Sequence, residues 1–360
     1  MAAPIHLQYV ENLNRSVLDQ ANPSPYTANA RKGLSRELIY EMSREKNEPP
    51  WMLEHRLKSL EVFFEKPLPT WGQDLSGLKF DEIIYYAKPG EMKPTNSWDK
   101  VPADIKRTFE RLGIPESEQK YLAGAGAQYE SINAYHNLKE KWASVGVIFE
   151  DMDVALEKYP DLVRQYFMRA VPMHDHKFAA LHGAVWSGGT FIYIPAGVKV
   201  DQPLQAYFRM NASSMGQFEH TLIIVDKNAI GSYIEGCSSA KYESPSLHAG
   251  LVEIFVKEGA HFRYSSAENW SKQTYNLNTK RAIVDKDGMI EWVSVNTGSC
   301  ATMLYPCSVL RGEGAKSEHL GVALANKGQK QDTGAKVIHA APHTTSKVVM
   351  KSISLNGGIS

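Results

Sequence analysis

The pattern of hydrophobic and polar positions divides the chain into a helical first half and a strand-rich second half. In the first half, apolar side chains recur at the spacing of three and four residues that is typical of amphipathic helices. Ser35 is suited to cap one helix, and Pro49 and Pro50 are suited to begin the next. Residues 105–112 and 154–167 are predicted as further helices, the last of them interrupted by Pro160.

From Phe178 onward, short apolar or alternating runs are separated by Gly, Asn, Asp and Ser, a pattern typical of strands and turns. No ten-residue helical pattern lies between the runs, so a parallel sheet built from βαβ units is excluded. The runs are TFIYIPAGVKV, LQAYFRMN, HTLIIVD, GSYIEGC, LVEIFVK, HFRYSS, RAIVD, MIEWVSVN, EHLGVALA, AKVIHA and SKVVMKSIS.

The strand-rich half also repeats itself. VDKNAIGSYIEG, VKEGAHFRYSSA, VDKDGMIEWVSV and LRGEGAKSEHLG each place a charged pair and a turn residue before a strand. The turn residues Asn228, Gly259, Gly288 and Gly314 are 31, 29 and 26 positions apart. Repeats of this length made of short strands favour a mainly β fold, the parallel β-helix (solenoid), in which each coil buries its apolar face on the next. A β-sandwich remains the alternative, because the number of strands does not separate the two folds.

Composition narrows the class of protein. The 360 residues are 43% apolar and 22% charged, as expected of a chain with a hydrophobic core. Lys and Arg together number 40, as do Asp and Glu, which disfavours a nucleic-acid or anionic-membrane surface. No run of 18 apolar residues and no secretory signal is evident. Three cysteines do not form a disulfide framework, so a reducing, cytoplasmic setting is expected.

The segment YIEGCSS holds the most informative cysteine, Cys237. Successive side chains of a strand alternate between its faces, so Glu235 and Cys237 share one face and Gly236 lies on the other. If the shared face is the interior, a buried carboxylate beside a thiol is costly and requires a partner. Cys237 is either a reactive thiol or a small buried side chain, and the residue chemistry by itself leaves both open.

Other motifs give weaker signals. Cys300 and Cys307 are seven positions apart, which is not a metal-clasp spacing, and we interpret them as packing residues. The His-Asp-His cluster at 174–176 offers two types of metal ligand without a further group known to lie nearby, and we interpret it as a solvated loop. WSGGT at 186–190 has no lysine and opens no helix, so the chain is not expected to hydrolyse ATP. No serine-hydrolase elbow or HExxH zinc motif is present.

Polar side chains also lie inside the strand-like runs. Arg209 and Asn211 share a face with Tyr207 if AYFRMN is a strand, and Glu268 and Trp270 follow in AENW. Polar residues within apolar runs are informative because they need partners when buried. Two interpretations remain open. The polar side chains either form hydrogen-bonded ladders at the turns or line a polar passage through a solenoid.

Several long blocks of the chain resemble the SufB proteins of the SufB/SufD family, the scaffold subunits of the SUF system of iron–sulfur cluster assembly. The resemblance extends from about residue 34 to the last residue. The blocks are NEPPWMLEHRLKSLE, LAGAGAQYES, GVIFEDMD, KFAALHGAVWSGGTFIYIPAGV, PLQAYFRMN, GQFEHTLIIVD, YIEGCSS, NWSKQTYNLNTKRA and KGQKQDTGAKVIHAAPHTTSKVVMKSIS.

The resemblance implies a helical N-terminal region at 1–170 and a right-handed parallel β-helix at 171–360. The family continues past the Gly357–Gly358 pair with further strands, a cysteine and a carboxylate at the cluster site, and a helical domain that binds the SufC ATPase. We therefore expect a truncated chain whose metal ligands lie beyond Ser360.

The resemblance also implies a function. Cys237 matches a cysteine thought to accept persulfide sulfur, and Arg209, Asn211 and Trp270 match a polar sulfur route. Glu268 departs from the family, because an uncharged Gln is expected at that position.

Partners and cofactors follow from the same resemblance. They are SufD or a second copy of the chain, the SufC ATPase, and the cysteine desulfurase SufS with its relay protein SufE or SufU. The expected cargo is a transient [4Fe-4S] or precursor cluster, and the family allows for FAD in the complex. The chain is expected to be a scaffold and not an enzyme. The alternatives are a non-catalytic SufD-like structural partner and, least favoured, a carbohydrate-active β-helix enzyme, for which no aspartate ladder is present.

Overall fold

The computed structural model describes residues 15, 18–24, 30–88, 95–241 and 243–360. Its helices precede or cover a β-solenoid of about six turns. They are α1 (Arg36–Glu45), α2 (Pro50–Glu65), α3 (Ala103–Arg111), α4 (Ile114–Tyr121), α5 (Glu140–Ala143), α6 (Met152–Lys158), α7 (Pro160–Tyr166) and α8 (Lys177–Val185), with short 3-10 turns at Phe80–Glu82 and Trp98–Lys100.

Twenty strands are found among the described residues. The first ten are β1 (Gly124–Tyr129), β2 (Ile132–Leu138), β3 (Ile148–Asp151), β4 (Gly189–Ile194), β5 (Leu204–Met210), β6 (Gly216–Gln217), β7 (His220–Val225), β8 (Ile230–Ser239), β9 (Ser246–His248) and β10 (Leu251–Val256). The others are β11 (His261–Asn269), β12 (Thr274–Asn276), β13 (Thr279–Val284), β14 (Met289–Thr297), β15 (Ala301–Leu304), β16 (Cys307–Leu310), β17 (Lys316–Ala325), β18 (Lys330–Thr333), β19 (Lys336–His339) and β20 (Thr345–Ser354).

The strands form three sheets, and successive strands of the solenoid enter a different sheet each time. The first sheet has the order β2-β1-β5-β8-β11-β14-β17-β20, the second β19-β16-β13-β10-β7-β4-β3, and the third β18-β15-β12-β9-β6. Neighbouring strands are parallel except for β1–β2 and β3–β4. The predicted parallel β-helix is therefore confirmed, and the β-sandwich alternative is wrong.

The turn repeat is also present in the structure. Asn228, Gly259 and Gly314 have left-handed backbone angles, with φ of 55°, 67° and 72°. In the remaining coil that conformation falls on Asp287 (φ 53°) and not on Gly288. Asp is tolerated there because its short side chain can hydrogen-bond locally. What repeats from coil to coil is therefore the left-handed backbone conformation and not a glycine residue.

Local signals place the first helices correctly. The Ser35 hydroxyl accepts the Leu38 N–H at 3.2 Å, and α2 begins at a proline. Pro160 begins α7 and separates it from α6.

Helix α8 was not predicted; it lies at the start of the part of the chain predicted to be strand-rich, before the first predicted strand. All its residues after Lys177 are buried, so its sequence KFAALHGAV carries no polar face from which a helical period could be read.

The helices bury parts of the outer faces of all three sheets. Helices α3 and α4 pack on β1 and β2 at one end of the first sheet. Helices α1, α2 and α8 pack on the third sheet, and α6, α7 and the loop after α7 pack on the second. Strands β7 and β10 of the second sheet are buried on both faces, as the near-continuous apolar run HTLIIV of β7 indicates. The described helices are all too short or too polar to cross a membrane.

The proposed division between residues 170 and 171 stays a prediction. Strands β1 to β3 lie before it and α8 lies after it. Because β1 pairs in parallel with β5, the first sheet includes residues from both sides of that division.

The two glycines of WSGGT have a structural role. Gly188 and Gly189 have φ of 65° and 112°, and a Cβ at Gly189 would overlap the backbone of His220 on β7. We expect Gly189→Ala to lower the free energy of unfolding by about 1–3 kcal/mol or more, measured by denaturant titration. The control is Gly197→Ala, where φ is 73° but no atom lies within 4 Å of the added Cβ. An equal loss in both variants would contradict a role for the close approach.

Candidate functional site

Cys237 faces the interior of the solenoid. On β8 it shares the inward face with Tyr233 and Glu235, as the alternation of the sequence predicts. In the first sheet its register partners are Phe208 on β5 and Glu268 on β11. Only 1% of Cys237 is exposed, so the thiol is enclosed by the coils on either side.

The carboxylates beside Cys237 have the partner that burial requires. Lys280, on β13 of the second sheet, extends across the interior with its Nζ 3.3 Å from Glu235 and 2.9 Å from Glu268. All three side chains are at most 1% exposed. Two carboxylates therefore share one ammonium group in a region without solvent screening.

Lys280 was not predicted from the sequence. The signal was present in TKRAIV, where Lys280 alternates in phase with the apolar Ala282 and Val284 and therefore points inward with them. A lysine in phase with the core face of a strand must have a buried counter-ion, and the sequence does not show which carboxylate supplies it.

Glu268 is the most heavily bonded carboxylate of the cluster. Besides Lys280, it accepts hydrogen bonds from Asn276 Nδ2 at 2.6 Å and from Trp270 Nε1 at 3.3 Å. Burial opposes its ionisation, but Lys280, His248 and these hydrogen bonds lower the pKa of Glu268 to about 2. A charged Glu at this position is thus fully accommodated.

A second ion pair extends the cluster into the third sheet. His248 on β9 lies with its Nε2 2.5 Å from Glu219 and its Nδ1 2.7 Å from Asn276 Oδ1. Its ring contacts Trp270 with centroids 4.3 Å apart. Burial alone would lower the pKa of His248, but Glu219 and Glu268 raise it above the usual value. The cluster therefore runs from Glu219 through His248 to Glu268 and Lys280.

The cluster keeps the Cys237 thiol protonated. Burial and the charges of Glu235, Glu268 and Glu219 raise its pKa well above that of a free cysteine, and Lys280 offsets only part of this. A thiolate is the reactive form of cysteine, so Cys237 at rest is an unreactive thiol. Any reaction there needs a base to take its proton.

Burial also raises the pKa of Glu235, which shares its face of the strand with Cys237. A carboxylate with a raised pKa is better suited to accept a proton than an ordinary one. Glu235 is therefore the candidate base for the thiol.

The structure separates the five predicted site residues into two groups. Glu268 and Trp270 lie in the interior with Cys237, whereas Arg209 and Asn211 lie on the opposite face of the first sheet. Their face is the one predicted to include Tyr207, whose hydroxyl donates to Ser238 Oγ at 2.9 Å.

Arg209 and Asn211 bind backbone at the start of the chain. The Arg209 guanidinium donates to the carbonyls of Leu18 and Gln20 at 2.6 and 2.8 Å, and Asn211 exchanges hydrogen bonds with the backbone of Asn22. Both side chains thus hold residues 18–22 against the sheet. Their predicted place in a sulfur route stays a prediction, and the same holds for Glu268 and Trp270.

The remaining motifs have structural partners. Asp175 pairs with Arg281 at 2.8 Å, and the His176 ring accepts the Ala179 N–H and so caps α8. Cys300 donates to the Thr274 carbonyl at 3.2 Å. Within the part of the chain that the structure describes, no three His, Cys, Asp or Glu side chains are grouped so that they could hold a metal ion.

The fold and the interior together define a parallel β-solenoid protein that holds one thiol among buried charges. Residues 208–360 match the family model described as the SufBD core domain of SUF-system FeS cluster assembly, and residues 126–206 match the SufBD protein N-terminal region. The chain belongs to the SufB/SufD family of iron–sulfur cluster assembly proteins.

Relatives of known name agree with this assignment. The chain is 54% identical to the iron–sulfur cluster assembly protein SufB of Bacillus subtilis (strain 168), over 91% of its own length and 70% of the relative's. It is 55% identical, over the same shares, to iron–sulfur cluster assembly SufBD family proteins of Staphylococcus aureus strains MRSA252 and USA300.

Proposed function

We propose that this chain is a scaffold of iron–sulfur cluster biogenesis that accepts sulfane sulfur on Cys237. The observation that carries the proposal is the position of the three cysteines. Cys237 lies in the interior charged cluster, whereas Cys307 is on the outer face of the second sheet and Cys300 is at a turn before β15. Cys307 lies beside Arg281, Lys336 and Asp175 on the outer face, whereas Cys237 is enclosed in the interior with Glu235, Glu268 and Lys280.

The transfer is a thiol–persulfide exchange. A donor persulfide R–S–SH presents its outer sulfur, Glu235 takes the Cys237 proton, and the Cys237 sulfur attacks that outer sulfur. The S–S bond of the donor breaks, and R–S⁻ leaves and recovers a proton. The products are R–SH and Cys237–S–SH, so atoms and charge balance without an oxidant. Lys280 lowers the cost of the anionic sulfur during the exchange.

The proposed partners follow from the family. The donor is a cysteine desulfurase of the SufS type with a SufE or SufU relay protein, and the complex includes the SufC ATPase with SufD or a second copy of this chain. The compartment is the cytoplasm, and the chain has no catalytic turnover of its own. The nascent cluster, of [4Fe-4S] or precursor type, is the product of the complex, and no described residue is assigned as its ligand.

The sulfur exchange itself requires no flavin, because it involves no net oxidation or reduction. Dinucleotides bind where a glycine-rich turn opens a helix, so that the pyrophosphate meets free N–H groups. The Gly188–Gly189 pair instead follows α8 and begins a strand. These residues do not fit that mode of binding.

Anaerobic incubation with a cysteine desulfurase, its relay protein and cysteine tests the proposal. Mass spectrometry of the intact chain and of its peptides should show the addition of one sulfur atom, mapped to the peptide that contains Cys237. Sulfur mapped to Cys300 or Cys307 at a higher level would contradict the assignment.

One observation favours a second candidate, the structural partner without sulfur chemistry. Cys237 is enclosed and its pKa is raised, as expected of a packing residue. Such a chain would co-purify with a SufC-type ATPase and take up no sulfur in the same assay.

A further inference from the structure

A cleft on the outside of the solenoid lies close to the interior cluster. Its volume is about 830 Å³, and its walls are the segment 66–71 on one side and the start of β13 on the other. Arg281, Cys307 and Lys336 are adjacent in register across β13, β16 and β19 and line it together. Residues 278–280 also line it, and Lys280 ends in the interior cluster. The wall between cleft and interior is therefore one strand thick.

The corner at this wall is built from three equivalent positions. Glu219, Gly250 and Asn278 each precede the first residue of β7, β10 and β13, and those first residues pair in register. A Cβ at Gly250 would overlap Glu219 Oε1 and lie 3.0 Å from Asn278 Oδ1. Because Gly250 has no side chain, the Glu219 carboxylate and the Asn278 amide both reach the space that a Cβ at residue 250 would occupy.

Several polar atoms of this corner have no hydrogen-bond partner among the described residues. Among the described residues, Glu219 Oε2 and both polar atoms of Asn278 have no hydrogen-bond partner, and the same is true of the amide of nearby Gln217. Asn278 is 5% exposed and Glu219 and Gln217 are 2% exposed. Buried polar groups are satisfied by ordered water where protein partners are lacking, so this corner is a place for water or another small polar guest.

The corner is continuous with the surroundings of Cys237. Glu219 bonds His248, His248 bonds Asn276, and Asn276 donates to Glu268, which is the register neighbour of Cys237. On the outer side, Asn278 lines the cleft. A chain of polar groups therefore leads from the cleft to the buried thiol.

We infer that the corner formed by Glu219, Gly250 and Asn278 is the entrance through which small polar solutes pass from the cleft to Cys237. This inference depends on the proposed function only for the purpose of the entrance, which is to admit the sulfur that Cys237 accepts. Its existence is tested without a sulfur donor.

The test is the rate at which methyl methanethiosulfonate labels Cys237 in the folded chain. The Cys237 thiolate displaces methanesulfinate from the reagent and forms a methyl disulfide, which peptide mass spectrometry quantifies against time. Asn278→Ala widens the corner and should speed labelling by about tenfold, equivalent to 1.4 kcal/mol of barrier. Asn278→Leu, which has the same branched shape but is larger and apolar, should slow it by about the same factor. Cys300, labelled in the same molecules, is the internal control and should not change.

Opposite effects of the two substitutions separate entry through the corner from entry by unfolding. If Cys237 were reached only by unfolding, both variants would be labelled in proportion to their loss of stability, measured by denaturant titration on the same samples. That result, or equal and measurable labelling rates of Cys237 in the parent, Asn278→Ala and Asn278→Leu, would overturn the entrance. Opposite effects combined with no uptake of sulfur from a donor would support the entrance and refute the proposed function.

Discussion

Replacing Lys280 by methionine is expected to lower the free energy of unfolding by about 3–5 kcal/mol at pH 7, because it leaves buried carboxylates without a counter-ion. Glu235 and Glu268 both depend on the Lys280 ammonium group and are fully buried. Methionine preserves most of the side-chain volume, so the loss reports charge and not a cavity. Denaturant titration with circular dichroism measures it.

The loss should depend on pH in a defined direction. In the parent the pKa of Glu268 is lowered to about 2, so its contribution to stability is complete above the usual Glu pKa and is lost as the pH falls toward 2. Without Lys280, burial raises the pKa of both carboxyls, and the variant loses stability as the pH rises through those values. The difference between parent and variant should therefore be large at pH 7 and shrink in acid.

Two further variants control this experiment. Adding Glu235→Gln and Glu268→Gln to Lys280→Met removes the unpaired charges and should restore part of the lost stability. Lys316→Met, at an exposed position of β17, should change it by no more than about 0.5 kcal/mol. A Lys280→Met variant as stable as the Lys316→Met variant would show that the interior ion pairs contribute nothing.

Replacing Cys237 by serine is expected to abolish sulfur uptake, because a hydroxyl cannot form a persulfide. The thiol is buried and protonated, so it makes no ion pair whose loss would unfold the chain. A buried hydroxyl without a partner costs about 1–3 kcal/mol, and Cys237→Ala avoids that cost. Both variants should therefore fold, as circular dichroism checks, and neither should gain a sulfur atom in the desulfurase assay.

The other two cysteines provide matched controls for this loss. Cys300→Ser and Cys307→Ser should take up sulfur as the parent does, because neither side chain belongs to the interior cluster. Uptake by Cys237→Ser equal to that of the parent would refute the sulfur-accepting role of Cys237. Loss of uptake in all three variants would contradict the assignment to Cys237 alone, because each cysteine would then be required for uptake.

The prediction of the site succeeded where it depended on alternation along one strand. Glu235 and Cys237 were placed on one face from their spacing, and the need of the carboxylate for a partner followed from the cost of burying charge. The same reasoning grouped Arg209 with Tyr207. It could not say that this face is the outer one, because period two fixes which side chains share a face and not which face is enclosed.

The elements that the sequence missed have a common cause. Helix α8 is buried all round, and β1 carries the small residues of GAGAQY, so neither shows the contrast of polar and apolar positions from which helices and strands are read. Their conformation is determined by the sheets and helices that enclose them.

By itself the sequence favoured the solenoid, since the turn spacing and strand alternation recur with each coil. The parallel pairing of the strands in three sheets then excluded the β-sandwich. The sequence also determined that Cys237 shares its surroundings with a carboxylate. Only the tertiary structure decided that Lys280, 45 positions beyond Glu235, pairs with that carboxylate, and that Glu219, Gly250 and Asn278 meet at one corner. Winding a chain into coils brings together residues that are about one or two repeats apart in the sequence. The register of the three sheets then decides which of these residues face each other across the interior.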